Sequence, residues 1–217
     1  MLKSDTIGEI TLLLNRYPVL EMLRERLVHT VEELVRTFSS GGKLLICGNG
    51  GSAADSLHIT GELMKSFVKR RPLSKDIALR FQTQFPEVAE YYINNLQGAL
   101  PAISLVSESA LMTAYGNDNT ADLVFAQQVF GYGKANDVLL AISTSGNSGN
   151  VLHAARVARA MGLKVIGLTG EKGGALAELS DILLDVPSGI TYQIQEMHLP
   201  IYHTLCLAVE TELFEGA

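Results

Sequence analysis

Apolar residues recur at intervals of three and four through EITLLLNRYPVLEMLRERLVHTVEELVRTFSSGG, the period of helices with one face turned inward. Pro18 lies inside that stretch and should divide it into two helices. The pattern then changes. KLLICGNGG is a short continuous apolar run ending in glycines, as a strand buried on both faces and its turn should read. PAISLV (Pro101–Val106), DVLLAISTSGNS (Asp137–Ser148), KVIGLTGEKGG (Lys164–Gly174) and DILLDVPS (Asp181–Ser188) repeat it. Helical periodicity fills the intervals, most clearly in NVLHAARVARAMG (Asn150–Gly162). Alternating strands and helices predict a doubly wound parallel α/β sheet of the flavodoxin-like, three-layer kind. Residues 1–42 form a helical arm before it. TYQIQEMHLPIYHTLCLAVETELFEG predicts a long closing helix that Pro200 should kink. No repeat, low-complexity tract or linker interrupts the chain, so residues 1–217 read as one domain.

Composition narrows the function. The chain is 47% hydrophobic, 6% aromatic and rich in glycine, an ordinary globular mixture. A formal charge of −6 argues against a general nucleic-acid binder, whose phosphate affinity needs clustered cations. The basic run KRR (Lys69–Arg71) is expected to be a solvated loop. Cys47 and Cys206 are too few and too far apart for a disulfide framework or a thiolate zinc site. Neither a signal peptide nor an apolar run long enough to cross a bilayer is evident, so a cytoplasmic protein without membrane partners is expected.

In a doubly wound fold, ligands sit beyond the carboxyl ends of the strands. CGNGGSAAD begins at one such end. Its glycines allow close backbone approach, and Ser52, Ala53 and Ala54 open a helix whose free N–H groups favour an anion. A tight turn with no ligand explains it equally well, and neither the G-x-G-x-x-G nor the P-loop spacing is present. STSGNSGN (Ser143–Asn150) carries more information. Ser143, Thr144, Ser145 and Ser148 follow a buried strand and precede a helix. One hydroxyl suffices to cap a helix, so four favour a phosphate cradle. In YGNDN (Tyr115–Asn119), after a short helix, an Asx turn at Asp118 outweighs a sugar contact on spacing alone. His58 and Glu62 stand four apart on one helix face, which by itself is ordinary.

Taken in order, GNGGSAAD…H-x-x-x-E, GND, STSGNS and QEMH…H resemble the sugar isomerase (SIS) superfamily, and within it the sedoheptulose 7-phosphate (phosphoheptose) isomerases. The resemblance spans nearly the whole chain. It implies an SIS-type fold and one Zn²⁺ per subunit held by His58, Glu62, Gln195 and His203. Glu62 and His203 would also be the acid–base pair of an aldose–ketose isomerisation through a cis-enediol. Substrate contacts would fall on Asn49, Gly50, Gly51, Ser52, Glu62, Asn117, Asp118, Ser143, Thr144, Ser145, Ser148 and Gln195. It further implies a homotetramer with sites at subunit interfaces, and a product supplied to heptose and surface polysaccharide synthesis. Helical spacing does not itself produce this metal set. On an ideal helix Gln195 and His203 diverge by about 80°, whereas Glu196 and His203 align within about 20°. Gln195 therefore rests on the resemblance, and Glu196 reads as a structural or intersubunit charge. His198 reads as either a supporting or a core residue.

The chain departs from the resemblance between Glu62 and Asn117, where residues 74–100 form an apparent helical insertion with Phe81, Phe85, Val88, Tyr91 and Tyr92 as packing residues. An isomerase of another ketose phosphate is thus a second reading. A non-catalytic SIS adaptor is a third, disfavoured because all four metal positions are kept.

Overall fold

The computed structural model describes residues 2–214. Five strands form one parallel sheet: β1 (Leu44–Cys47), β2 (Ala102–Ser104), β3 (Val138–Ser143), β4 (Lys164–Thr169) and β5 (Ile182–Asp185), in the order β2-β1-β3-β4-β5. The order reverses beside β1, so the turns after β1 and β3 open side by side at the carboxyl edge. β1 and β3 are buried along their whole length, which is why they read as unbroken apolar runs. Alternate side chains feed two cores. Leu44, Ile46, Leu140 and Ile142 face one, and Leu45, Cys47, Leu139 and Ala141 face the other.

The first core is roofed by α1 (Ser4–Arg16), α2 (Arg24–Ser39), α3 (Gly51–Met64) and α9 (Thr191–Leu213). Pro18 separates α1 from α2 as expected, through a short 3₁₀ turn at Pro18–Leu23. The arm is docked, not free: Thr6 Oγ1 donates to Glu212 Oε2 at 2.6 Å, and Arg26 pairs with Asp185. The second core is covered by α7 (Val124–Tyr132) and α8 (Gly149–Ala160). Pro200 lies inside α9, which continues through it to Leu213.

Residues 74–100 form two short helices, α4 (Lys75–Gln84) and α5 (Ala89–Asn95). Phe81 and Tyr92 pack at 5.2 Å between ring centroids, yet Ala89 is the one buried residue of the two helices. α6 (Ser109–Asp118) follows β2.

One expectation is corrected. Lys69–Arg71 is not simply a solvated loop, because Arg71 is 0% exposed. Its Nε donates to Glu210 Oε1 at 2.7 Å and its Nη1 and Nη2 to the carbonyls of Leu63 (2.6 Å) and Glu62 (3.2 Å). Glu210 also accepts from the N–H groups of Phe67, Val68 and Lys69. Burial opposes ionisation of Glu210, but these donors and Arg71 overcome it and hold the carboxyl below its ordinary range. The guanidinium can be buried because every donor direction it uses meets an acceptor.

Candidate active site

After β1 the chain turns into α3 through Gly50, the N-cap residue, whose φ of 55° suits a glycine. A Cβ on Gly51 would lie 2.4 Å from Gln195 Nε2, so the missing side chain lets Gln195 of α9 lie across this turn. After β3 the chain turns through 144–148 into α8. Asn49 and Asn150 tie the two turns together by exchanging a pair of amide hydrogen bonds, each 2.9 Å. The second turn is braced from behind: Leu176 N–H donates to Gly146 O and Ala175 N–H to Asn147 Oδ1, both at 3.0 Å.

Asn49, Gly50, Gly51, Ser52, Ser143, Thr144, Ser148 and Gln195 converge on a cavity of about 260 Å³, together with Ile142 and Thr191. Ser148 is the N-cap residue of α8 but makes no side-chain capping bond. Its hydroxyl instead lies 2.9 Å from that of Ser143. The hydroxyls are therefore not consumed by the helix; the N–H groups of Ser52, Ala53 and Ala54 are taken by the carbonyls of Asn49 and Gly50, so the hydroxyls with the N–H groups of Gly51, Gly149 and Asn150 are what suit a phosphate.

A second group of side chains lies further along α3. His58 Nε2 is 3.3 Å from Glu62 Oε1, and Lys65 Nζ holds Glu62 Oε2 at 2.7 Å. From α9, the His203 ring stands 4.9 Å from that of His58, centroid to centroid. Burial first, then neighbouring His58, holds the His203 imidazole below its ordinary range, against the pull of Glu62. His203 Nε2 is buried without a hydrogen-bond partner. Behind His58, Tyr202 OH lies 3.1 Å from Nδ1 and donates to Asp55 Oδ1 at 3.3 Å. Burial raises the Asp55 carboxyl above its ordinary range, and burial with the Asp55 charge raises the Tyr202 phenol strongly. Among the described residues no three His, Cys, Asp or Glu side chains form a ready-made metal cage.

Three expected contacts lie elsewhere. Asn117 and Asp118 are not in a loop after a helix but in the last turn of α6, exposed and bonded to one another at 2.9 Å. Ser145 is exposed, its hydroxyl accepting from Asn147 N–H. Gln195 stands at the turn cavity and His203 beside His58, so α9 serves both places. His198 is a core residue: fully buried, with Nε2 3.2 Å from Thr169 O, its imidazole pushed down to about 4 by burial. Glu196 is exposed. Asp55, Lys65, Thr191 and Tyr202 were not singled out by the sequence reading. Asp55, three residues before His58, and Lys65, three after Glu62, carry a visible signal in that spacing, whereas Tyr202 is recognisable only from the fold.

Residues 92–170 match the family model described as the SIS domain. The chain is 41% identical over 195 residues to the phosphoheptose isomerase of Aliarcobacter butzleri, covering 90% of this chain and 89% of that one. It is 39% identical over 194 residues to that of Burkholderia pseudomallei, covering 88% and 85%. Among solved structures, phosphoheptose isomerase GmhA from Neisseria gonorrhoeae superposes with a TM-score of 0.73 at 32% identity, covering 96% of this chain and 94% of that one. A phosphoheptose isomerase from Francisella tularensis gives 0.70 at 34% identity, covering 85% of each.

Proposed function

The chain belongs to the phosphoheptose isomerases, and from that premise we propose that it converts D-sedoheptulose 7-phosphate to D-glycero-D-manno-heptose 7-phosphate, for heptose destined for surface polysaccharide. The observation that carries this reading is the pairing of a serine-lined anion cavity with His58 and Glu62 further along α3 and His203 beside them on α9. From Gly51 to His58 the axis of α3 advances about 10 Å, at about 1.5 Å per residue, a span that a seven-carbon sugar phosphate bridges.

The phosphate takes hydrogen bonds from Ser143, Thr144 and Ser148 and from the N–H groups of Gly51, Gly149 and Asn150 at the two helix starts, which fixes one end of the chain. Asn49 and Gln195 orient the hydroxyls between. At the other end the Glu62 carboxylate takes the proton from C1 and returns it to C2 of the cis-enediol. His203, held below its ordinary range, moves the second proton from O1 to O2 as the carbonyl changes place. Lys65 keeps Glu62 turned into the site.

His58, Glu62 and His203 carry donor atoms of the kinds that a divalent ion such as Zn²⁺ takes, and the buried Nε2 of His203 lacks a partner, but their side chains would have to move to close around the ion. Gln195 would join them by leaving its place over Gly51. A bound Zn²⁺ would polarise the substrate carbonyl and so ease removal of the adjacent proton. We place the enzyme in the cytoplasm as a homotetramer; the exposed Leu12, Val19 and Met22 of the N-terminal arm support an interface between copies there.

The test is incubation with sedoheptulose 7-phosphate in D₂O, read by proton NMR. Aldose is expected, with deuterium at C2 in the fraction of turnovers in which the Glu62 carboxyl exchanges its proton with solvent before returning it, and absence of any aldose would overturn the assignment.

A further inference from the structure

The hydrogen bonds behind His58 leave little choice about where its proton sits. Tyr202 is 1% exposed and packed edge-on against both His58 and His203, at 5.5 and 5.0 Å between centroids. Its hydroxyl has one proton, and that proton is given to Asp55 Oδ1 at 3.3 Å. What the hydroxyl offers His58 Nδ1, 3.1 Å away, is therefore a lone pair. A neutral imidazole carries one proton on its two nitrogens, so the proton belongs on Nδ1 and Nε2 is bare. Nε2 faces Glu62 Oε1 at 3.3 Å. A bare nitrogen and a carboxylate oxygen repel; Lys65 Nζ, 2.7 Å from Glu62 Oε2, offsets this from the far side of the carboxylate, and a cation between the two would remove it.

We propose that Asp55 and Tyr202 are positioning residues: they fix His58 in its Nδ1–H tautomer and aim a bare Nε2 at the space shared with Glu62 and His203. The proposal deepens the metal reading and rests on it for its purpose, since a bare Nε2 is the form of histidine that binds a cation. Asp55 lies one turn before His58 on α3, and Tyr202 is next to His203 on α9. The relay thus joins the two helices at the height of the reacting group and sets the His58 ring plane from outside the substrate's reach. Asp55 Oδ2 is buried and unpartnered, so no competing donor draws the carboxylate away from Tyr202.

The test uses the full chain stripped of metal. Long-range proton–nitrogen NMR reads the His58 tautomer, zinc titration against a chelating dye reads affinity, and thermal melting checks the fold. Wild type should show the Nδ1–H tautomer. Tyr202→Phe, which removes only the hydroxyl, should melt close to wild type, show mixed tautomers and bind zinc about 10- to 100-fold more weakly. Asp55→Ala should behave likewise. Asp55→Asn, whose amide oxygen still accepts the phenol proton, should restore most of the affinity. An unchanged tautomer in Tyr202→Phe, or a wild-type His58 protonated at Nε2, overturns the proposal. Wild type that binds no zinc overturns the metal reading instead, while the tautomer still decides the role of Tyr202.

Discussion

Removing Glu210 should destabilise the protein more than removing its partner Arg71. Both side chains are at most 1% exposed, so neither is screened by water. Glu210→Ala leaves a buried guanidinium without its counter-charge, and three N–H groups, of Phe67, Val68 and Lys69, without an acceptor. Breaking a buried pair costs about 3–5 kcal/mol, and each orphaned buried donor about 1–3 kcal/mol where water cannot reach it. Residues 66–70 are only partly covered, so water recovers some of the second cost. About 4–6 kcal/mol is expected, a large share of the roughly 5–15 kcal/mol that holds a domain together. Arg71→Met instead leaves Glu210 with its three backbone donors and Leu63 O with the N–H of Leu100, and strands the carbonyl of Glu62; about 2–3 kcal/mol is expected, the lost counter-charge included. Urea denaturation followed by far-UV circular dichroism, extrapolated linearly, measures both. The order of the two losses carries the reasoning. If Arg71→Met proved the more damaging, or Glu210→Ala cost under about 1 kcal/mol, the network would not be the anchor of the segment after α3. The pH dependence has a fixed sign. Because the folded Glu210 carboxyl sits below its ordinary range, its stabilisation is complete above the unfolded carboxyl pKa and disappears as pH falls through the folded one.

The other expectations are smaller. Ser143→Ala and Ser148→Ala should each lower kcat/KM by roughly 10- to 100-fold, mainly through KM, while urea midpoints stay unchanged because Ser148 makes no side-chain cap; a fall in stability instead of affinity would return Ser148 to a capping role. Gly146→Ala should lose at least about 1 kcal/mol from backbone conformation alone, at φ 66°, and more from a Cβ placed 1.9 Å from Gly173 O; a melt equal to wild type refutes the bracing of the serine turn. Cys47 and Cys206, pushed up to about 12 by burial, should resist a thiol reagent at pH 8 in the native protein and react fully in denaturant; rapid native labelling would show that the core opens.

The sheet was legible because β1 and β3 are buried along their whole length and β4 everywhere after Lys164, and burial on both faces leaves few polar positions to blur the run. The serine turn and the His58–Glu62 pair were legible because their members are close in sequence. What escaped was long-range. Arg71 looked solvated because the carboxylate that lets it be buried is 139 positions away. Tyr202 looked like one apolar position among many on α9, since Asp55 and His58 reach it across 147 and 144 positions. The last turn of α6 was misplaced for another reason. Gly116 and Asn117 have poor helix propensity, so local chemistry argued for a loop while packing against the following 3₁₀ turn kept the helix going. The short β2, three residues long, was over-extended because Leu105 and Val106 continue the apolar run beyond the last ladder pair.

We propose one site that holds the phosphate while Glu62 and His203 move the protons. Initial rates on sedoheptulose 7-phosphate, for zinc-loaded wild type, Glu62→Gln and His203→Ala, test it most directly. Turnover by wild type, with kcat reduced at least about 100-fold in both variants and folding unchanged, is the result predicted. Full turnover by either variant would contradict the assignment of the chemistry to that group.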